Sequence, residues 1–135
     1  MISELFTANV ILGILASGIR LATPYLYAAI GETFGQRSGV LNLGVEGQML
    51  LGAFAGFYVT FNTGSPWLGL LAAILVGTLM GLIMGLISVT LHAEQGISGI
   101  GVYLFGLGMS DLLFQKTIGS VETVKGFQPI HIPWL

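Results

Sequence analysis

A chain of 135 residues in which 54% are hydrophobic and 7% carry charge is not composed like a water-soluble domain, where about a quarter of residues are charged. Four Lys and Arg against six Asp and Glu give a formal net charge of -2, with none of the basic clustering that displacement of phosphate counterions requires, so nucleic-acid binding is excluded as a function class. No cysteine is present, which excludes disulfides, thiolate metal sites and cysteine nucleophiles.

The first charged side chain is Glu4 and no Ala-x-Ala site follows a short apolar core, so the first apolar stretch is expected to be retained rather than cleaved. A scan with a window of about 19 residues picks out four apolar blocks, 5–30, 43–61, 66–91 and 97–114, followed by a tail over 115–135. Between Glu46 and Glu94 there is no Asp, Glu, Lys or Arg, and since one hydrocarbon crossing takes roughly 20 apolar residues, that interval has room for two. None of the blocks alternates in the manner of an outer-membrane strand, and a spanning backbone must satisfy its own hydrogen bonds. The expected fold is therefore all-α, a polytopic transmembrane helical bundle with three to five membrane segments.

In the first block, Arg20 and Pro24 leave two alternatives: one long tilted helix kinked at Thr23-Pro24, or a short span followed by a half-helix. Between the second and third blocks, Asn62-Thr63-Gly64-Ser65-Pro66 reads as a tight turn with Ser65 as N-cap and Pro66 at the first helical position. So short a link makes those helices antiparallel neighbours, and Tyr58 and Trp67 beside it favour the headgroup level. By parity the loop carrying Glu32 and Arg37 faces the same side as the loop carrying His92 and Glu94, and the tail with Lys116 and Lys125 faces the other.

In the third block Gly69, Ala73, Gly77, Gly81 and Gly85 recur every four residues, forming a small-residue ridge that a partner backbone can approach closely. Gly52 and Gly56 supply a similar patch on the second. Helix packing is the favoured role for these glycines over lining a solute path.

The segment 35–56 is chemically the richest, because Arg37, Asn42, Glu46 and Gln48 lie among glycines at a membrane entry, where unpaired polar groups are expensive. Asn42 and Glu46 at i,i+4 are expected to share a helix face, with Gln48 pointing elsewhere. Bracing the turn and lining a pathway are both open to them. His92, Glu94, Gln95 and Ser98 surround Gly96. Without a Cys pair or second His this H-x-E is not a metal signature, and a partner-docking turn competes with an ordinary solvated loop. Asp111, near the end of the fourth block, is inexpensive if it snorkels to the interface. No phosphate-binding G-x-x-x-x-G-K-[ST] occurs, Gly96, Gly99 and Gly101 lack dinucleotide spacing, and no Ser/His/acid set shares a cleft. Neither catalysis nor a cofactor or metal is expected.

The stretch RLATPYLYAAIGETFGQRSGVLNLGVEGQMLLGAFAG resembles the opening of the nucleoside and simple-sugar branch of ABC importer permeases, related to ribose and branched-chain amino acid permeases. Thr23 to Gly31 and Gln36 to Ala53 carry the likeness, with Gln36 where Glu is more usual. AEQGISGIGVYLFGLGMSDLLF resembles a second family segment, with Tyr103 where Asn is commoner and Glu94 in place of Asp.

The resemblance implies a single permease domain working by alternating access, with a second permease subunit, a cytosolic ABC ATPase and an extracytoplasmic solute-binding protein as partners in a lipid bilayer. It also implies that GFQPIHIPWL faces outside, which places Arg37, Ser38, Glu94 and Gln95 in cytoplasmic, ATPase-facing loops and Asn42, Glu46 and Gln48 near the path. Family permeases are longer than this chain, so a fragment, a truncated frame or one piece of a split subunit is expected. Two rival classes are an ion- or proton-coupled secondary transporter and a small structural or assembly membrane protein.

Overall fold

A computed structural model describes residues 8–119 and Gly126. The chain is all-helical over this range: α1 (Ala8–Arg37), α2 (Val45–Thr63), α3 (Pro66–Gly85) and α4 (Gln95–Ile118), with a π-helical turn at Leu86–Thr90 extending α3. The architecture is a partial polytopic bundle. Three stretches, Val10–Arg37, Pro66–Thr90 and Gln95–Ile118, are long and apolar enough to cross a membrane.

The first block is one continuous helix with Pro24 inside it, which decides between the two sequence alternatives. Proline removes a backbone donor and disfavours the turn before it, and here the Thr23 hydroxyl donates to the Ile19 carbonyl at 2.8 Å. The helix also outruns the apolar block: Glu32 to Arg37 are helical rather than loop, and at 30 residues α1 is about 45 Å long. Its end is closed by Gly39, whose φ of 87° is the left-handed conformation glycine adopts freely.

The α2–α3 turn follows its sequence signature in part. Gly64 takes φ 70° and its N–H donates to the Thr60 carbonyl at 2.8 Å, ending α2 in a left-handed cap, and Pro66 opens α3. The Ser65 side chain makes no capping bond, so Pro66 at the first position, where no N–H is needed, carries the start of the helix. Tyr58 and Trp67 are exposed beside this turn. At its other end α3 does not stop at an ordinary cap. The Leu91 N–H reaches back five residues to the Leu86 carbonyl at 3.0 Å, and His92 takes φ 52°, which reverses the chain into α4.

The helix α2 is the hub, packing extensively on α3 and α4, while α1 touches it only lightly. Glycine makes both crossings. Against α3, Gly69 faces the Thr60 hydroxyl and the Gly56 carbonyl, with Gly56 and Gly52 on the Gly69–Ala73 stretch. Thr60 is buried there and donates to the Gly56 carbonyl at 2.7 Å. Against α4, a Cβ built on Gly47 would lie 2.6 Å from the Tyr103 carbonyl oxygen, one on Gly44 would lie 2.9 Å from both the Gly99 carbonyl oxygen and Val102 Cβ, and one on Gly106 would collide with Gly47.

Among the described residues the buried apolar side chains are Leu51, Met80, Met84 and Val102, clustered where α2, α3 and α4 meet. Leu, Ile and Phe side chains elsewhere are largely exposed. That distribution suits a molecule solvated by lipid, in which burying a leucine gives no advantage and close backbone packing supplies the attraction.

The two sets of glycines predict opposite mutational outcomes. Gly47→Ala and Gly106→Ala force α2 and α4 apart, and overpacking of this kind costs about 1–3 kcal/mol. Gly108→Ala, on the same helix with nothing within 4 Å of its built Cβ, is neutral or stabilising by up to about 1 kcal/mol through helix propensity. Thermal unfolding of the purified chain in detergent, read by circular dichroism, separates these outcomes.

Candidate functional site

The α1–α2 loop and the turn before α4 meet at one end of the bundle, as parity requires, and the residue that joins them is Gln95. Its Oε1 accepts from the Leu41 N–H at 2.7 Å and its Nε2 donates to the Gly39 carbonyl at 3.2 Å. A primary amide matches a free backbone donor and acceptor on one strand of loop, so this single side chain ties the first turn of α4 to residues 39–41 across the chain.

Beside it Glu94 caps α4. Its carboxylate accepts from the Ile97 N–H at 2.5 Å and the Gly96 N–H at 3.0 Å, satisfying two of the helix's orphan donors. These two bonds, Ile97 first, hold the carboxyl below its ordinary value of 4.5, because they favour the charged form and a helix N-terminus does the same. Ser98 Oγ donates to the Glu94 carbonyl at 2.6 Å. The residue that reads as loop thus caps a helix that starts at Gln95, two residues ahead of the apolar block.

The loop itself is organised by Asn42. Its Oδ1 accepts from the Gly44 N–H at 3.0 Å, an Asx-type turn, and its side-chain amide exchanges two bonds with that of Gln48, at 3.0 and 3.3 Å. The Asn42 N–H donates to Glu32 Oε1 at 3.0 Å, and Gln36 Nε2 donates to the same oxygen at 3.3 Å. Asn42 therefore lies in the turn ahead of α2 and pairs with Gln48, not with Glu46, so the i,i+4 reading of a shared helix face does not hold. Asparagine prefers the local backbone bond that a turn provides to a place in the helix interior.

Glu46 is exposed in the first turn of α2, where a carboxylate complements the helix N-terminus. Arg37 is exposed in the last turn of α1, the complementary placement for a cation. Ser38 Oγ donates to the Gly35 carbonyl at 2.7 Å, and His92 Nδ1 lies 3.1 Å from the Thr90 carbonyl. Arg37, Ser38, Glu94 and Gln95 thus share one end of the molecule. The residues over 120–125 and 127–135, including Lys125, lie outside the described residues.

Above this polar end a cavity of about 860 Å³ separates α1 from α2 and α3. Glu32, Asn42 and Gln48 stand at its polar end, and Tyr27, Gly77 and Gly81 line its walls. Gly77, Gly81 and Gly85 have nothing within 4 Å of a built Cβ, unlike Gly52 and Gly56, which pack on α3. Among the described residues no group of three His, Asp or Glu side chains could hold a metal ion.

Two elements of this site escaped the sequence reading. Glu32 was read as part of a loop, and the Gly44, Gly47, Gly99 and Gly106 crossing was not singled out, although Gly99 and Gly106 are seven apart and so share one helix face.

Residues 14–133 match the family model described as branched-chain amino acid transport system / permease component. The chain is 37% identical over 121 residues to a putative glucose ABC transporter permease of Haloferax volcanii, an alignment covering 90% of this chain and 36% of the relative. It is 33% identical over 118 residues to a guanosine ABC transporter permease of Bacillus subtilis, covering 82% and 36%. A nucleoside ABC transporter permease of Lactococcus lactis is 32% identical over 108 residues, covering 76% and 34%. The matched part spans 36%, 36% and 34% of these curated relatives' length. No solved structure matches.

The Glu94 cap carries a pH signature. A carboxyl whose value is depressed on folding stabilises the fold fully above its unfolded value and loses that contribution as pH falls through its folded one. Hydrogen exchange at the Gly96 and Ile97 amides, compared with Glu94→Gln at each pH, is therefore expected to show protection near neutrality that fades below about pH 4.5. The difference between the two proteins vanishes in acid.

Proposed function

The chain belongs to the branched-chain amino acid transport system / permease component family, and on that premise we propose that it serves as the N-terminal part of the permease of an ATP-driven importer for nucleosides or related small polar solutes. It is a multi-pass protein of the cell membrane. The observation that carries the functional reading is the match over residues 14–133, joined to relatives whose names give nucleosides, guanosine and glucose as their solutes. In this reading ATP is hydrolysed by a separate cytosolic ATPase. A second permease subunit completes the path and an extracytoplasmic binding protein delivers the solute.

The polar end is the ATPase-facing surface in this proposal, with Arg37, Ser38, Glu94 and Gln95 upon it. Its construction supports that role. Because Gln95 holds residues 39–41 to the start of α4, a push on the 91–95 turn reaches the α1–α2 loop through hydrogen bonds rather than through slack chain. The Asn42–Gln48 pair and its bond to Glu32 pass the displacement on to α1 and α2. Alternating access then follows from tilting these helices as the ATPase pair closes. Asn42, Glu46 and Gln48 pack near the path, and the open Gly77, Gly81 and Gly85 row is a packing face for further helices of the permease.

Charge reversal tests the surface. Arg37→Glu and Glu94→Lys, placed at the matching positions of a full-length relative reconstituted with its ATPase, are expected to lower solute uptake per ATP hydrolysed by roughly tenfold, equivalent to about 1.4 kcal/mol of lost coupling. Coupling equal to wild type rejects the assignment of these residues.

A further inference from the structure

The end of α3 is wound one residue wide. Through the π-helical turn at Leu86–Thr90 the Leu91 N–H reaches the Leu86 carbonyl at 3.0 Å, and beyond it the Ala93 N–H reaches the Ile87 carbonyl at 3.1 Å. His92 between them is left-handed, at φ 52°, the conformation a Schellman closure asks of the residue just past a helix. In that closure Leu91 pairs with the carbonyl four residues back, Ile87, and Ala93 with the carbonyl five back, Ser88. Both bonds here are longer by the same single residue.

The wide turn leaves a cost behind it. Ser88, at its centre, is buried, and among the described residues its Oγ is the buried side-chain polar atom without a hydrogen-bond partner. Elsewhere on these helices a hydroxyl donates to the carbonyl four residues back, as Thr60 does to Gly56 at 2.7 Å and Thr78 to Ile74 at 2.8 Å. An orphaned hydroxyl in a buried place calls for an explanation, and π-turns occur frequently at functional positions. The turn is also held from both sides. Ile87 packs against the core cluster, the start of α4 is tied to residues 39–41 by Gln95, and only Leu91 to Glu94 lie between the two helices. A change of winding here has little slack chain to absorb it.

We infer that the end of α3 is a one-residue ratchet, in which the Leu91 and Ala93 N–H groups step together from the Leu86 and Ile87 carbonyls to those of Ile87 and Ser88. Two bonds break and two form, so the step keeps the number of backbone hydrogen bonds, and the narrow winding lets the Ser88 hydroxyl donate to the Met84 carbonyl. His92 keeps its left-handed conformation in both windings. The step moves the 91–95 turn by one residue, about 1.5 Å along the helix axis, the scale of shift by which packed helices switch between discrete arrangements. Gln95 carries it to residues 39–41. The ratchet is a property of this chain's winding and needs neither an ATPase nor a solute. In an importer it would give the ATPase-facing turn two defined positions.

The test is relaxation-dispersion NMR of the amide nitrogens in the full chain purified in detergent, since helix register shifts fall in the microsecond to millisecond range that this method reads. The Leu91, His92 and Ala93 amides are expected to exchange with one rate and a minor population of roughly 0.1–10%, and the Gly39 and Leu41 amides to share that rate. Deleting Val89, which is exposed on the wide turn, gives both bonds their ordinary spans without moving the groups they join, and dispersion is expected to vanish at both places. Ser88→Ala removes the orphaned hydroxyl, favours the wide winding and is expected to lower the minor population about threefold or more. Gln95→Ala is expected to silence residues 39–41 while 91–93 still exchange. Circular dichroism checks that each variant folds, and Ser88→Ala decides the matter if the deletion does not. Flat profiles at 91–93 overturn the ratchet, as does dispersion there that Ser88→Ala or a folded Val89 deletion leaves unchanged. Silence or a different rate at Gly39 and Leu41 overturns its transmission through Gln95.

Discussion

Hydrocarbon offers a backbone no hydrogen-bonding partner and gives a leucine no reason to hide. Under that constraint the chain can only form complete helices, and the helices can only hold together where their backbones come close. The glycines of α2 meet both demands. Through Gly44 and Gly47 it seats α4, through Gly52 and Gly56 it seats α3, and the few buried apolar side chains collect where these crossings converge. Much of the remaining apolar surface faces outward, an arrangement that in water would be an aggregation hazard. The helix α1 lies outside this logic, set apart from α3 by the cavity.

The same constraint explains why the polar chemistry is concentrated at one end. An unpaired amide or carboxylate is expensive in hydrocarbon, and Asn42, Gln48, Glu32, Gln95 and Glu94 gather instead at the end of the bundle, where they pair with one another or with free backbone groups of the turns. A fully satisfied network of this kind holds a unique geometry. It joins three helix ends into one unit.

What was legible in the sequence was whatever a local pattern determines. Hydropathy placed the four apolar blocks, Gly64 and Pro66 marked the α2–α3 reversal, and parity put the Arg37 and Glu94 regions at one end. The departures have physical causes. Glu32, Gln36 and Arg37 read as loop because they are polar, yet they are good helix formers and α1 runs through them. Asn42 at i,i+4 from Glu46 read as helical, but its side chain had a better local bond in the turn, and the tertiary partner Gln48 was invisible to spacing alone. Glu94 reads as part of a partner-docking turn or a solvated loop, and the free amides of Gly96 and Ile97 make it the cap of α4. The Gly77, Gly81 and Gly85 row shows the limit from the other side: its spacing is that of a packing ridge, and within the described chain it faces open space. The expectation of a longer family protein agrees with relatives of which the matched part is 36%, 36% and 34%.

In this architecture the helices cross a bilayer with two polar turns at one surface and the α2–α3 reversal at the other. A chain without cysteine allows this to be read directly by placing a single thiol at Ser38→Cys, His92→Cys or Thr63→Cys and exposing sealed vesicles to a membrane-impermeant maleimide. Reaction of the first two from one side and of the third only from the opposite side is the predicted result. Equal labelling of all three from a single side of an intact vesicle would contradict it.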